Sequence, residues 1–183
     1  MTRPLNTDAI EKTTGQSWDE WLTFLARHQA ESKTHSEIAK IVELELTGKI
    51  DSPQWWAQNI TVAYEQHAGR RLPGQRGDGS FEISASTTHG GLRADTAKYV
   101  SGSLEKIEDF NDHQVVSRRT SSTPVRDYWR FTLANATNVT FSLEQKNDNK
   151  VLFVITHAHI KNAKEAEAWK VFWKNCVSDI ISK

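Results

Sequence analysis

Two histidines, His157 and His159, stand two residues apart in Val151-Leu-Phe-Val-Ile-Thr-His-Ala-His-Ile160, a β-branched run that predicts a strand. A period of two places both imidazoles on one face, where they can hold a divalent metal through two nitrogens. No third ligand stands at a matching spacing: nearby there is no His-Glu-x-x-His and no cysteine. The pair therefore reads as edge or partner-facing histidines, with no metal or other cofactor expected. Arg118, Arg119, Arg126 and Arg130 make the densest basic group. At a cavity mouth such guanidiniums hold a carboxylate or phosphate by bidentate contact, and otherwise they form a solvated face, the reading favoured here. Cys176 falls on an apolar helix face and reads as a buried, inert thiol. Ser103-Leu-Glu-Lys106 matches the Ser-x-x-Lys of acylating serine enzymes without its companion Ser-Asp-Asn and Lys-Thr-Gly elements, so no catalysis follows from it. Arg76-Gly-Asp78 reads as a turn before a strand, and His35 as a local hydrogen-bonding residue at a helix start.

The seven tryptophans are Trp18, Trp21, Trp55, Trp56, Trp129, Trp169 and Trp173. Trp18, Trp21 and Trp55 lie on short helices that need mutual packing and are expected to be core. Trp129, Trp169 and Trp173 are the better candidates to wall a ligand cavity, an indole offering a broad apolar face and one N–H.

The 183 residues carry 23 basic and 23 acidic side chains, a formal charge of zero. This disfavours a nucleic-acid platform, which needs a basic surface interleaved with aromatics. A mean hydropathy of −0.61 and the absence of an apolar run near the ~18 residues a membrane helix needs exclude a helical span. One cysteine cannot close an internal disulfide, and Met1 to Gln16 has no apolar signal-peptide core. A cytoplasmic protein is expected.

Around these residues the elements follow from caps and periods. Residues 1–16 are polar and read as a flexible lead-in. Ser17-Trp-Asp-Glu20 and Thr34-His-Ser-Glu37 are capping boxes that open two helices. Ser52-Pro53 opens a third, which runs to Gly69. Residues 17–70 thus predict a three-helix unit, and 71–79, rich in Gly and Pro, a linker. From residue 80 the period changes. Phe81 to Thr87 alternates as a strand, and Leu92 to Leu104 reads as a helix of modest quality. Residues 105–127 show no clear period. Trp129-x-Phe131-x-Leu133 and Val139-x-Phe141-x-Leu143 flank a hairpin turn, and Val151 to Ile160 extends the antiparallel meander. Ala163 to Ser182 closes the chain as a long amphipathic helix bearing Trp169, Phe172, Trp173 and Cys176.

This order (strand, helix, antiparallel strands, long aromatic C-terminal helix) resembles the START-like helix-grip (SRPBCC) superfamily. Ser17-Trp-Asp-Glu-Trp21, Thr34-His-Ser-Glu-Ile-Ala39 and Trp55-Trp-Ala-Gln-Asn-Ile-Thr-Val-Ala-Tyr-Glu-Gln66 resemble a helical domain of unknown function that precedes, in many bacterial proteins, a domain related to the heat-shock-protein ATPase activator homologues. Gly74 to Ser86 resembles the junction and first strand of that arrangement, and Glu165 to Cys176 its closing helix. The resemblance implies an α+β fold: a helical unit, then an 80–183 domain whose curved sheet grips the C-terminal helix around a cavity for apolar ligands. Fold likeness alone implies no reaction.

The expected function is non-enzymatic binding of a small apolar or amphipathic ligand, with Phe81, Trp129, Phe131, Phe141, Phe153, Trp169 and Trp173 as candidate walls. An interaction or co-chaperone-like module is the alternative. It is motivated by Val151-Leu-Phe-Val-Ile155, which is apolar on both faces and suggests cover by the helical unit, a protein partner or a homodimer. A cyclase- or hydrolase-like enzyme using Tyr128, Arg130 or His157 ranks last, because no spacing forces titratable groups to meet.

Overall fold

The structure, a computed structural model, describes residues 5–181. The first four residues of the expected lead-in and the last two of the chain lie outside the described residues. The chain divides into two compact units between Gly74 and Gln75.

In the first unit, the expected lead-in is corrected: Thr7–Thr14 forms a helix, α1. Asn6 caps it by accepting the Asp8 N–H, and Gly15 ends it in the left-handed region. Its single deep anchor, Ile10, suffices because polar groups tie it onward. Thr14 accepts the Trp21 indole N–H at 3.1 Å, and the Glu11 carboxylate accepts the Trp18 N–H at 2.9 Å. Among its described residues the unit therefore has four α-helices rather than the three expected. α2 (Trp18–Arg27) and α3 (His35–Leu46) both start with complete reciprocal capping boxes. α4 (Pro53–His67) starts differently, since Ser52 is left-handed and makes no side-chain cap, leaving Pro53 to preset the first turn. The core gathers Ile10, Trp21, Leu25, Ile38, Val42 and Ile60. Trp55 is corrected from core to surface, at 57% exposure. α4 buries the stripe Ala57, Ile60, Thr61 and Tyr64, and residue 55 lies off that face. His35 is also reassigned. It reaches across to α4, with Nδ1 3.0 Å from Glu65 and Nε2 2.9 Å from Gln58. Arg71 binds the same buried Glu65 at 3.0 Å, so the expected linker begins as part of the helical unit.

The second unit is α+β, as expected. β1 (Phe81–Gly90) is followed by α5 (Arg93–Leu104), β2 (Asp109–Phe110), β3 (His113–Ser122), β4 (Arg126–Leu133), β5 (Asn138–Asn147), β6 (Lys150–Ile160) and α6 (Ala163–Ile181). The strands are antiparallel in the order β1-β6-β5-β4-β3-β2, curled into a half-barrel with α6 packed against it. Inward residues alternate cleanly on β4, β5 and β6, and meet Trp169, Trp173 and Val177 of α6 in one core. The unread stretch 105–127 contains β2 and β3. From Ser117 onward every β3 residue is exposed, so neither face carries a hydrophobic period.

Candidate functional site

The two histidines part company at a β-bulge. Phe81 pairs with Ile160 and Ile83 with His157, so β6 spends one more residue than β1 over that span. His159 absorbs the extra residue in the left-handed region, φ 62°. Its ring points out, 3.8 Å from Asp78, while His157 is fully buried. No cluster of three metal-binding side chains occurs among the described residues.

His157 instead centres a buried hydrogen-bond chain. The Trp173 indole N–H donates to its Nδ1 at 3.0 Å. An indole is a donor only, so Nδ1 is the acceptor and the ring proton sits on Nε2, which donates to Thr137 Oγ1 at 2.7 Å. Thr137 in turn donates to Asn135 Oδ1 at 2.8 Å in the β4–β5 hairpin. Burial, aided by the facing charge of His113, pushes the His157 pKa down to about 4, keeping the imidazole neutral as this chain requires. Both ring nitrogens are committed. Tyr128 and Arg130 lie on the other face of β4, with the guanidinium 4.4 Å over the phenol ring, so the three residues of the enzyme hypothesis do not converge.

The seven candidate wall residues are brought together, all at most 5% exposed. They pack on one another. Trp169 stacks on Trp173 at 5.8 Å, Phe141 meets Trp173 at 5.7 Å and Phe153 at 5.9 Å, and Phe131 meets Phe141 at 5.6 Å. Phe81 joins the same core. Sequence reasoning missed Phe110, which touches Phe131, Phe141 and Trp173 at 5.2–5.6 Å. Its strand is two residues long, too short to show a period. Cys176 is half-buried with its thiol pushed up to about 11 by burial, as an inert cysteine requires, and Ser103 bonds the Tyr99 carbonyl within α5.

Open space lies beside this core, between α5 and the β3–β4 hairpin. A groove of about 560 Å³ runs past Ala97, Ser101 and Glu105 on one wall and Thr120, Ser122 and Trp129 on the other. Trp129 is the predicted residue that borders it, its indole N–H donating to Ser101 Oγ at 3.0 Å. Polar side chains hold α5 in place over the sheet. Arg93 donates to the Pro124 carbonyl at 2.9 Å and pairs with Asp127 at 3.3 Å. Gln145 accepts the Arg93 N–H at 2.6 Å. At the far end Arg118 donates to the carbonyls of Glu105 and Ile107.

No protein-family model and no curated protein matches the chain. Among solved structures, the chain is similar to an uncharacterised protein from Rhizobium leguminosarum, at 8% identity and a TM-score of 0.30, over 55% of this chain and 94% of that one. A likeness of this size transfers no function.

Proposed function

We propose that this protein is a non-enzymatic binder of the START-like helix-grip class, taking a small amphipathic ligand in the groove under α5. The antiparallel sheet closed by α6 supports the class. The groove supports the binding. Its volume of about 560 Å³ falls in the ~300–1,000 Å³ range of small-molecule sites. One apolar indole, Trp129, is set among hydroxyls there. Cytoplasmic residence belongs to the same reading. The filled aromatic interior leaves the predicted walls as the scaffold that fixes Trp129.

Native mass spectrometry of the purified protein, compared with its denatured mass, tests this. A discrete excess mass on the monomer, lost in a Trp129→Ala variant that retains its fold, is the expected result. A clean mass, together with no response of the intrinsic tryptophan emission to an anilinonaphthalene sulfonate probe, overturns it.

A further inference from the structure

Beyond the short β2, β3 leaves its backbone open at the edge of the sheet. β2 pairs only with His113 and Gln114, and beyond them no strand among the described residues covers the outer side of β3. The hairpin fixes which groups face out. The Thr123 N–H donates to the Arg126 carbonyl, and hydrogen-bonded pairs alternate along an antiparallel ladder. The pairs Ser121–Tyr128 and Arg119–Arg130 therefore bond to β4, while Thr120 and Ser122 turn their N–H and C=O groups to the free edge. These two residues also line the groove. A strand added at this edge would send alternate side chains inward, toward the small residues Ala97 and Ser101, and the others outward beside Arg119.

Charge selects the occupant. Residues 113–133 hold four arginines and one aspartate. Arg126 pairs with Glu144, Asp127 with Arg93, and Arg118 is spent on carbonyl groups. Arg119 is exposed without a counter-ion, and Arg130 rests on Tyr128 with a hydrogen bond to Ser121 Oγ at 2.7 Å. Neither meets a carboxylate among the described residues. Arginines on an edge discourage pairing with a like-charged strand, and the same charges favour an acidic one.

We propose that β3 takes up, by strand addition, an extended segment of a partner protein in which small apolar residues alternate with acidic ones. The apolar residues enter the groove under α5, and the acidic ones meet Arg119 and Arg130. Main-chain bonds to Thr120 and Ser122 supply affinity and the alternating side chains supply specificity. The inference rests on the groove as the binding site and replaces the small ligand by a peptide main chain.

The test uses the full chain and two synthetic peptides, acetyl-VEVEVEV-amide and acetyl-VKVKVKV-amide, followed by residue-resolved amide exchange. The acidic peptide is expected to slow exchange about tenfold or more at Thr120 and Ser122, leaving Arg119 and Ser121 unchanged, with the lysine peptide inactive. Thr120→Pro removes an edge N–H without touching the β4 ladder, a substitution edge strands tolerate, and should abolish the protection. Should that variant not fold, Arg119→Glu should shift preference toward the lysine peptide. Equal binding of both peptides, protection without the alternation, or edge protection in a peptide-free dimer each overturns the proposal. A bound small molecule in the native mass with no peptide protection overturns it while sparing the groove. Neither ligand binding removes both readings.

Discussion

At the residue scale, His157 makes stability depend on pH in a window of its own. Its folded pKa is about 4 against 6.5 for an ordinary histidine. As pH falls through 6.5 the unfolded chain takes up a proton that the folded chain refuses until about 4, so this residue's contribution is lost across that interval and changes no further below it. The full loss is about 3 kcal/mol. Carboxylates with lowered pKa act at lower pH. Glu20 is held down by Ser17, Glu37 by Thr34 and Glu144 by Arg126, and their contributions disappear only as pH falls below about 4.5. Denaturant titrations between pH 7 and 4.5 should show a falling midpoint that flattens in His157→Gln. An unchanged slope in that variant would assign the effect elsewhere. Two residues along the strand, His159 pays for the bulge with a left-handed backbone. Such a conformation costs an L-residue about 1–2 kcal/mol, which exceeds the chain entropy that glycine adds. The exposed contact with Asp78 is worth little. His159→Gly should therefore raise stability by about 0.5 kcal/mol in the same titration, and a loss of more than about 1 kcal/mol would show that the ring has a partner role.

At the scale of elements, α5 is held less by its own amphipathicity than by Arg93 and Gln145. Gln145 accepts the Arg93 N–H and donates to the Asn147 and Lys150 carbonyls, joining α5 to the β5–β6 hairpin. Gln145→Ala should cost about 1–2 kcal/mol and speed amide exchange in α5 selectively, because local opening draws on the weakest-held element. Uniform acceleration through β4, β5 and β6 would instead make the contact part of the global core. Helices with reciprocal caps, α2 and α3, were readable because Ser17, Glu20, Thr34 and Glu37 carry the signal locally. β4, β5, β6 and α6 were readable because one face of each is buried. β3 was not, since solvent on both faces erases the period, and the groove was hidden with it because Thr120, Ser121 and Ser122 of β3 line it. α1 was readable in principle from Asn6 and Gly15, yet one buried residue in eight leaves little periodicity. The bulge was not legible, for nothing in His-Ala-His distinguishes a regular strand from one in which the second histidine turns outward.

For the whole molecule, the apolar cores respect the division of the chain. One gathers residues from Ile10 to Tyr64 and the other residues from Phe81 to Ile181. The groove, the open edge and the His157 chain all lie within residues 75–183. A fragment of those residues keeps the ring contacts among Phe110, Phe131, Phe141, Phe153, Trp169 and Trp173, and at roughly 100 residues it is large enough to bury a sufficient core. It should fold alone, retain the near-ultraviolet circular dichroism of the stacked Trp169 and Trp173, and repeat the stability loss between pH 6.5 and 4.5. Fragment 1–74 should likewise melt on its own, giving the intact chain two separable transitions when tryptophan signals are assigned by Trp21→Phe and Trp173→Phe. A single cooperative transition in the intact chain, with both fragments unfolded, would mean that each core depends on the other for its stability. In that case the groove's chemistry would have to be studied in the full chain alone.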